Sequence, residues 1–174
     1  MLASVVESNR GQQASLDTTA LDGKGRALAT LLPEALGGFQ PEMAIASDLV
    51  VATVKPQDVL SVCREAKENS QLAFDYLLCL SVVDYEDHLQ VVYHLYSTTR
   101  KHKMVVKTDV PTEKPNVPSV VPVWPAADWF EREGHDLYGV VFEGHPNMAP
   151  LLLYEGFEGY PGRKSYPFHE YTEW

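Results

Sequence analysis

The amino-acid sequence predicts an α+β fold, with helices on one face of a small mixed or antiparallel sheet and an extended, irregular C-terminal tail. Through residue 110, helix-period apolar patterns alternate with short β-branched and aromatic runs. The 174 residues are 45% hydrophobic and 22% charged, enough for one core. Beyond Pro111, prolines, glycines and aromatic residues replace any regular period. Together these features predict one packed domain that carries a tail.

The first predicted elements are a helix and two short strands. Residues 24–36 place leucines on one helical face, and the glycines at 37–38 end that helix. Residues 43–45 and 49–54 are short apolar runs typical of strands. A second helix is expected from Pro56, which suits a first helical turn, to about residue 67. Its predicted buried stripe consists of Val59, Leu60, Cys63 and Ala66.

Three further strands are expected to complete the sheet. Residues 74–83 and 89–97 are rich in β-branched and aromatic residues, and the charged turn at 85–87 joins them as a hairpin. Residues 104–110 follow with the same pattern. The first 110 residues therefore predict helices packed against one face of a sheet.

A third helix is predicted over residues 125–138. Pro125 suits its first position, and Gly139 suits its end. Its apolar stripe is expected to contain Ala126, Ala127, Phe130, Gly134, Leu137 and Tyr138. Its opposite, polar face is expected to contain Asp128, Glu131, Arg132, His135 and Asp136. Arg132 is four residues from both Asp128 and Asp136, so these three can form ion pairs along the helix.

The polar face of this helix has three interpretations. It can be a solvated face with ion pairs and one exposed aromatic, Trp129. It can supply general acids or bases from Glu131, Glu133, His135 and Asp136, although no nucleophile or glycine loop accompanies them. It can also bind a partner protein, with Trp129 as the anchor.

The C-terminal segment is aromatic, acidic and irregular. Residues 128–174 contain 11 of the 18 aromatic residues, with 9 acidic against 3 basic residues. These aromatics need a surface, either their own domain or another protein. We divide the chain into a frayed N-terminus (1–19), an α+β domain (20–125), a helix and turn (126–147) and a partner-wrapping tail (148–174), and expect the tail to be ordered only in a complex.

Composition excludes several classes of function. A net charge of −10 argues against binding to nucleic acid or to an anionic membrane surface. The longest apolar run, residues 76–83, is too short to cross a bilayer, and no signal peptide is apparent. Cys63 and Cys79 suit reduced core thiols of a cytoplasmic protein, with a disulfide as the less favoured alternative. The six histidines lack metal-site spacing, and phosphate-binding glycine motifs are absent, so we expect no cofactor or metal in this chain.

Two stretches carry a resemblance to a known family. Residues 118–146 read PSVVPVWPAADWFEREGHDLYGVVFEGHP, and residues 158–167 read EGYPGRKSYP. They resemble the signature blocks of the C subunit (30 kDa type) of proton-pumping NADH:quinone oxidoreductase, respiratory complex I. The matching positions are Glu131-Arg132-Glu133, Asp136, Gly139, Gly144-His145-Pro146 and Arg163-Lys164. The sequence departs from the family pattern at Ala149-Pro150, Tyr154, Gly156-Phe157 and Gly134.

The resemblance implies a structural subunit without catalytic residues of its own. Its partners would be the large hydrogenase-like subunit that forms the quinone cavity and neighbouring iron–sulfur subunits of the peripheral arm. NADH, FMN, iron–sulfur clusters and quinone would be bound by those other subunits. The chain would lie at the cytoplasmic side of the cell membrane and reach the membrane only through its partners.

The expected interface follows from the same resemblance, and two other functions stay open. The interface would comprise Trp129, Glu131, Arg132, Glu133, Asp136, His145, Pro146, Arg163 and Lys164. The alternatives are the homologous subunit of a membrane-bound hydrogenase-type complex and a stand-alone acid/base enzyme.

Overall fold

A computed structural model describes residues 18–167. Most of the N-terminus predicted to be frayed, residues 1–17, and the last part of the tail, residues 168–174, lie outside the described residues. The helices are α1 (Gly23–Ala35), α2 (Val59–Glu68) and α3 (Ala127–Tyr138). The strands are β1 (Glu42–Ala46), β2 (Leu49–Thr53), β3 (Tyr76–Asp84), β4 (His88–Tyr96), β5 (Lys103–Pro111), β6 (Asn116–Pro118) and β7 (Val141–Glu143).

Five strands form one mixed sheet in the order β1-β2-β5-β4-β3. The β2 and β5 strands pair in parallel, with Val51 opposite Val105, and the other neighbours are antiparallel. The edge strand β3 carries a register shift between Leu77 and Cys79, which marks a β-bulge. The β6 and β7 strands form a separate parallel pair. The α+β fold with a mixed sheet is therefore confirmed.

Alternation along the strands separates two faces of the sheet. Side chains such as Val50 and Tyr93 are fully buried in the main core, to which all three helices contribute. Val51, Val92 and Val105 point the other way and form a second, small apolar cluster. The predicted placement of the helices on one face follows from this division, because the core residues of α1, α2 and α3 all belong to the first cluster.

The buried stripe of α2 differs from the predicted one at a single position. A 3₁₀ turn, Pro56–Asp58, precedes the α-helix, which begins at Val59. Val59, Cys63 and Ala66 are buried as predicted, but Val62 is buried with them and Leu60 is only half-buried. Val62 and Cys63 lie three and four residues after Val59, so all three are on the same face of the helix. This explains why Val62 is buried in place of Leu60.

The third helix begins at Ala127, two residues after the predicted start, because Pro125 lies in a turn that precedes it. Its buried residues are Ala127, Glu131, Gly134 and Asp136, so the placement of Asp136 on the polar face is wrong. Of the predicted apolar stripe, Ala126 is exposed and Phe130, Leu137 and Tyr138 are half-buried. A Cβ atom at Gly134 would lie 3.1 Å from Cγ2 of Val82 on β3, so the missing side chain lets helix and sheet approach closely.

The structure also bears on the membrane and the thiols. No helix within residues 18–167 is long and apolar enough to cross a membrane. Cys63 and Cys79 are both free thiols, the first buried and the second partly exposed.

We expect Gly134→Leu to lower the free energy of unfolding by about 1–3 kcal/mol, because the new side chain overpacks the contact with Val82. The loss should occur although leucine favours helix more than glycine does. Urea unfolding of the two proteins measures the difference. Gly23→Ala, at an open position of α1, serves as the control and should be near neutral. An unchanged or higher stability of Gly134→Leu would contradict the close-approach argument.

Candidate partner-docking site

Glu131 is the most deeply buried of the residues expected at an interface. It has 0% exposure, and the backbone N–H of Val120 donates to its Oε1 at 2.7 Å. The Ser119 hydroxyl is a second hydrogen-bond partner of the carboxyl group. The prediction that Glu131 lies on the polar face of the helix is therefore wrong. Its carboxyl group anchors α3 to the 119–120 turn of the same chain.

The other carboxyl oxygen of Glu131 faces a buried histidine side chain. Within residues 18–167, Oε2 has no hydrogen-bond partner, and Nε2 of His145 lies 4.0 Å away. The His145 side chain is 1% exposed, and its Nδ1 accepts the backbone N–H of Asn147 at 3.1 Å. Nε2 of His145 forms its hydrogen bond with the backbone carbonyl of Asp128 at 3.4 Å. Oδ1 of Asp128 lies 3.3 Å from the same nitrogen and has no hydrogen-bond partner within the described residues.

The protonation of Glu131 follows from these surroundings. The pKa of its carboxyl is raised from 4.5 to about 7, chiefly by burial and also by the negative charge of Asp128, against the hydrogen bonds from Ser119 and Val120. Burial, followed by the charge of Glu131, also raises the pKa of the Cys63 thiol. The pKa of the Tyr93 phenol is raised by burial, with Cys63 and Glu131 adding to the effect. This cluster therefore favours uncharged side chains.

Arg132 and Asp136 hold the segment after the turn against α3. Arg132 donates through Nε to the carbonyl of Ala149 at 2.8 Å and through an η nitrogen to that of Pro150 at 2.9 Å. Oδ2 of Asp136 accepts three successive backbone N–H groups, those of residues 151–153, at 2.7, 2.8 and 3.3 Å. The predicted ion pairs of Arg132 with Asp128 and Asp136 are not formed, because backbone groups of 149–153 occupy both side chains.

The pKa of Asp136 reflects these contacts. Burial alone would raise it, but the three amides favour the ionised carboxylate and hold the pKa below its ordinary value. Asp136 is thus a buried anion that organises irregular backbone. Periodicity in the sequence offers no signal for such a contact, since residues 149–153 have no helical or strand pattern.

The two other basic residues of the tail also bind within the chain. Arg163 donates through Nε to the carbonyl of Tyr138 at 2.8 Å, and its guanidinium lies 4.8 Å from the ring centre of Tyr160. Lys164 donates its backbone N–H to Asp84 at 2.8 Å and places Nζ 3.4 Å from a carboxylate oxygen of Glu86. The described part of the tail therefore packs on its own domain at these points, which differs from the expectation that it is ordered only in a complex.

The remaining expected interface residues are exposed. Trp129 is 62% exposed on α3, as the helical wheel predicts, and Glu133 and Pro146 are exposed as well. Two further exposed apolar side chains were not predicted to lie at an interface: Leu152 at 59% and Tyr154 at 73%. They lie in the segment held by Arg132 and Asp136. For residues 18–167, no group of three or more His, Cys, Asp or Glu side chains could hold a metal ion.

Comparison with known proteins shows which proteins this chain is similar to. The family profile described as respiratory-chain NADH dehydrogenase, 30 Kd subunit, matches residues 52–172. The chain is 37% identical over 147 residues to a C subunit of NADH-quinone oxidoreductase from Rhizobium meliloti (strain 1021), covering 83% of this chain and 80% of that protein. It is 40% identical over 159 residues to the C subunit of the same enzyme from Ralstonia nicotianae (strain ATCC BAA-1114 / GMI1000), covering 84% and 80%.

Solved structures give the same result. The chain is similar to one in a membrane-bound sulfane sulfur reductase, an archaeal respiratory membrane complex, with a TM-score of 0.70, 28% identity and coverage of 83% of this chain and 86% of that one. It is also similar to a trypsin-resistant fragment of Nqo5, with a TM-score of 0.61, 26% identity and coverage of 69% and 98%. The resemblance inferred from residues 118–167 is confirmed.

We expect Glu131→Gln to change how stability depends on pH. A group whose pKa is raised on folding contributes stability below its unfolded pKa and loses it as pH rises, here from about 4.5 to about 7. The variant cannot ionise, so its stability relative to wild type should increase by up to about 3 kcal/mol across that window. Urea unfolding at several pH values measures this, and Glu133→Gln on the exposed face is the control. Parallel pH curves for wild type and Glu131→Gln would refute the assignment.

We expect Asp136→Ala to free the segment 151–153, because three backbone N–H groups lose their acceptor. The free energy of unfolding should fall by about 1–3 kcal/mol. Hydrogen exchange of the amides of residues 151–153 should become faster, while Glu133→Ala, one turn away and exposed, should leave it unchanged. Unaltered exchange in Asp136→Ala would show that other contacts hold this segment.

Proposed function

Because the chain belongs to the family of 30 kDa subunits of respiratory-chain NADH dehydrogenase, we propose that it is a cofactor-free structural subunit of the peripheral, quinone-reducing arm of NADH:quinone oxidoreductase. It docks on the large hydrogenase-like subunit that forms the quinone cavity, beside iron–sulfur subunits. It supports electron transfer from NADH to quinone coupled to proton translocation. FMN, iron–sulfur clusters and the substrates are bound by the other subunits, and this chain lies on the cytoplasmic side and contacts the membrane through them.

The observation that carries this proposal is a set of exposed apolar side chains on α3 and on the segment bound to it. Trp129, Leu152 and Tyr154 each expose more than half of their surface, and all three lie on α3 or on the segment that α3 holds. Large exposed aromatic and aliphatic side chains on preorganised backbone are typical of protein interfaces. The tail, residues 148–174, then continues this surface along the partner.

The expected interface residues take two roles in this proposal. Trp129, Glu133 and Pro146 contact the partner directly. Glu131, Arg132, Asp136, His145, Arg163 and Lys164 act from within the chain, since each is buried or bound to its own backbone or side chains. Substituting one of the second group would weaken docking by disturbing the shape of the surface.

A structural role also fits the chemistry of the ionisable groups. Of the four groups in the acid/base alternative, only Glu133 is exposed and unbound in the part of the chain that the structure describes. Glu131 is buried, Asp136 is occupied by three amides, and Nδ1 of His135 shares a hydrogen bond with the carbonyl of Val140. A general acid or base must come within hydrogen-bond reach of the substrate proton that it moves, and these contacts keep all three groups from doing so. This argues against the stand-alone acid/base enzyme.

The second candidate is the homologous subunit of a complex with another electron donor or acceptor. It is favoured by the similarity to a chain of the archaeal membrane-bound sulfane sulfur reductase, at a TM-score of 0.70. The docking surface would serve the same purpose there. The identity of the large partner subunit decides between the two.

We expect an affinity-tagged copy, expressed in cells that lack the chromosomal gene, to co-purify in mild detergent with the large quinone-cavity subunit and to restore NADH:quinone activity of the membranes. The purified chain alone should show no flavin absorbance and no stoichiometric iron. Trp129→Ala should reduce the amount of assembled complex, whereas Tyr76→Ala, exposed on the edge strand β3, should not. A chain that purifies alone would contradict the proposal, and a nickel-binding large subunit in the eluate would favour the second candidate.

A further inference from the structure

We infer that the partner surface is an apolar groove rimmed by lysine and arginine side chains. This rests on the proposed function and names the chemistry of the surface that the subunit docks on. The element that enters the groove is formed by Trp129, Leu152 and Tyr154, which we call the docking ridge. Its acidic border is formed by Glu133, Glu155 and Glu158.

The docking ridge is built by contacts already made in the free chain. The guanidinium of Arg132 lies 5.5 Å from the ring centre of Trp129 while it binds the carbonyls of residues 149–150, so helix and following segment stand side by side. Asp136 fixes the backbone on both sides of Leu152. The rings of Tyr154 and Phe157 pack edge to face, with their centres 5.3 Å apart. A surface ordered before binding loses less conformational entropy on association.

Charge decides which partner fits. The cations of this region are already bound within the chain: Arg132 to two carbonyls, Arg163 to the carbonyl of Tyr138, and Lys164 to Glu86. A partner carboxylate would therefore find no free cation among them. The basic residues, expected from the sequence to pair with the partner, instead shape the surface.

The carboxylates of the acidic border, in contrast, are not bound within the described part of the chain. Glu133, Glu155 and Glu158 are exposed, and within the described range 18–167 none of them forms an ion pair or a hydrogen bond. Glu133 lies four residues after Trp129 on the same face of α3, and Glu155 directly follows Tyr154. Unpaired anions around an apolar centre are complementary to a groove with a cationic rim.

The test measures binding of the full chain to purified complex that has been depleted of this subunit. Glu155→Gln/Glu158→Gln should weaken binding by roughly tenfold in the dissociation constant at low salt and reduce its dependence on salt. Glu155→Lys should weaken it further, since a like charge then meets the rim. Leu152→Ser should cost roughly tenfold with its salt dependence retained.

Two matched controls accompany these variants. Glu34→Gln/Glu113→Gln makes the same change of charge at exposed positions away from the docking ridge, and Leu78→Ser removes an exposed leucine from β3. Both should bind within about twofold of wild type. The thermal midpoint of each free chain checks that the fold is retained, and binding is compared only among variants with a wild-type midpoint.

The outcomes separate the two proposals. If wild type binds the depleted complex and the ridge variants bind like the controls, the docking ridge is wrong while the structural role stands. If wild type does not bind at all, both are wrong. The ridge substitutions could instead abolish self-association of the free chain and leave binding to the complex unchanged. The docking ridge would then be an interface between two copies of this chain, and the inference would be overturned.

Discussion

Burial of Glu131 fixes the rotation of α3, and the surface of the molecule on this side depends on that rotation. With Oε1 held by the amide of Val120, residue 131 must point inward. At 100° per residue, Trp129 then lies about 200° away and must point outward. Gly134 completes the constraint, because its close contact with Val82 lets the helix lie flat on the sheet with Glu131 beneath it.

The same rotation places Arg132 and Asp136 at the boundary between buried and exposed surface. From there the two side chains reach backbone rather than each other. The guanidinium of Arg132 binds two carbonyl groups, and one carboxylate oxygen of Asp136 binds three backbone N–H groups. Backbone inside a helix or a sheet could not offer these groups, because they would already be paired with other backbone. Irregular backbone is thus stabilised by charged side chains of a neighbouring helix. Residues 128–174 carry 9 acidic against 3 basic residues, so the surface here is negative. Because Arg132 and Arg163 are bound to carbonyl groups, they do not form ion pairs with its exposed carboxylates.

Much of the fold could be predicted from the sequence because its elements differ in composition and are bounded by turn residues. The strands β3, β4 and β5 are rich in β-branched and aromatic residues, and α1 ends at Ala35, two residues before the paired glycines. The inward position of Glu131 could not be predicted, since a helical wheel sorts residues by polarity and a neutral buried carboxyl counts as polar. The contacts of residues 149–153 could not be predicted for another reason. They join side chains to backbone groups, and every residue type has the same backbone, so the sequence does not show which residues take part. Helical spacing predicted that Arg132 pairs with Asp136, whereas both side chains bind backbone groups of residues 149–153.

The β-bulge at Leu77 and Cys79 has a consequence for contacts between two copies of the chain. The edge strand β3 exposes Tyr76 and Leu78, at 52% and 42%, and carries apolar residues along its length. A long, flat edge of this kind would template pairing with a second chain and lead to aggregation. The extra residue bends the strand and disturbs the regular spacing of its free backbone groups. An irregular edge therefore disfavours strand pairing between two copies of this chain.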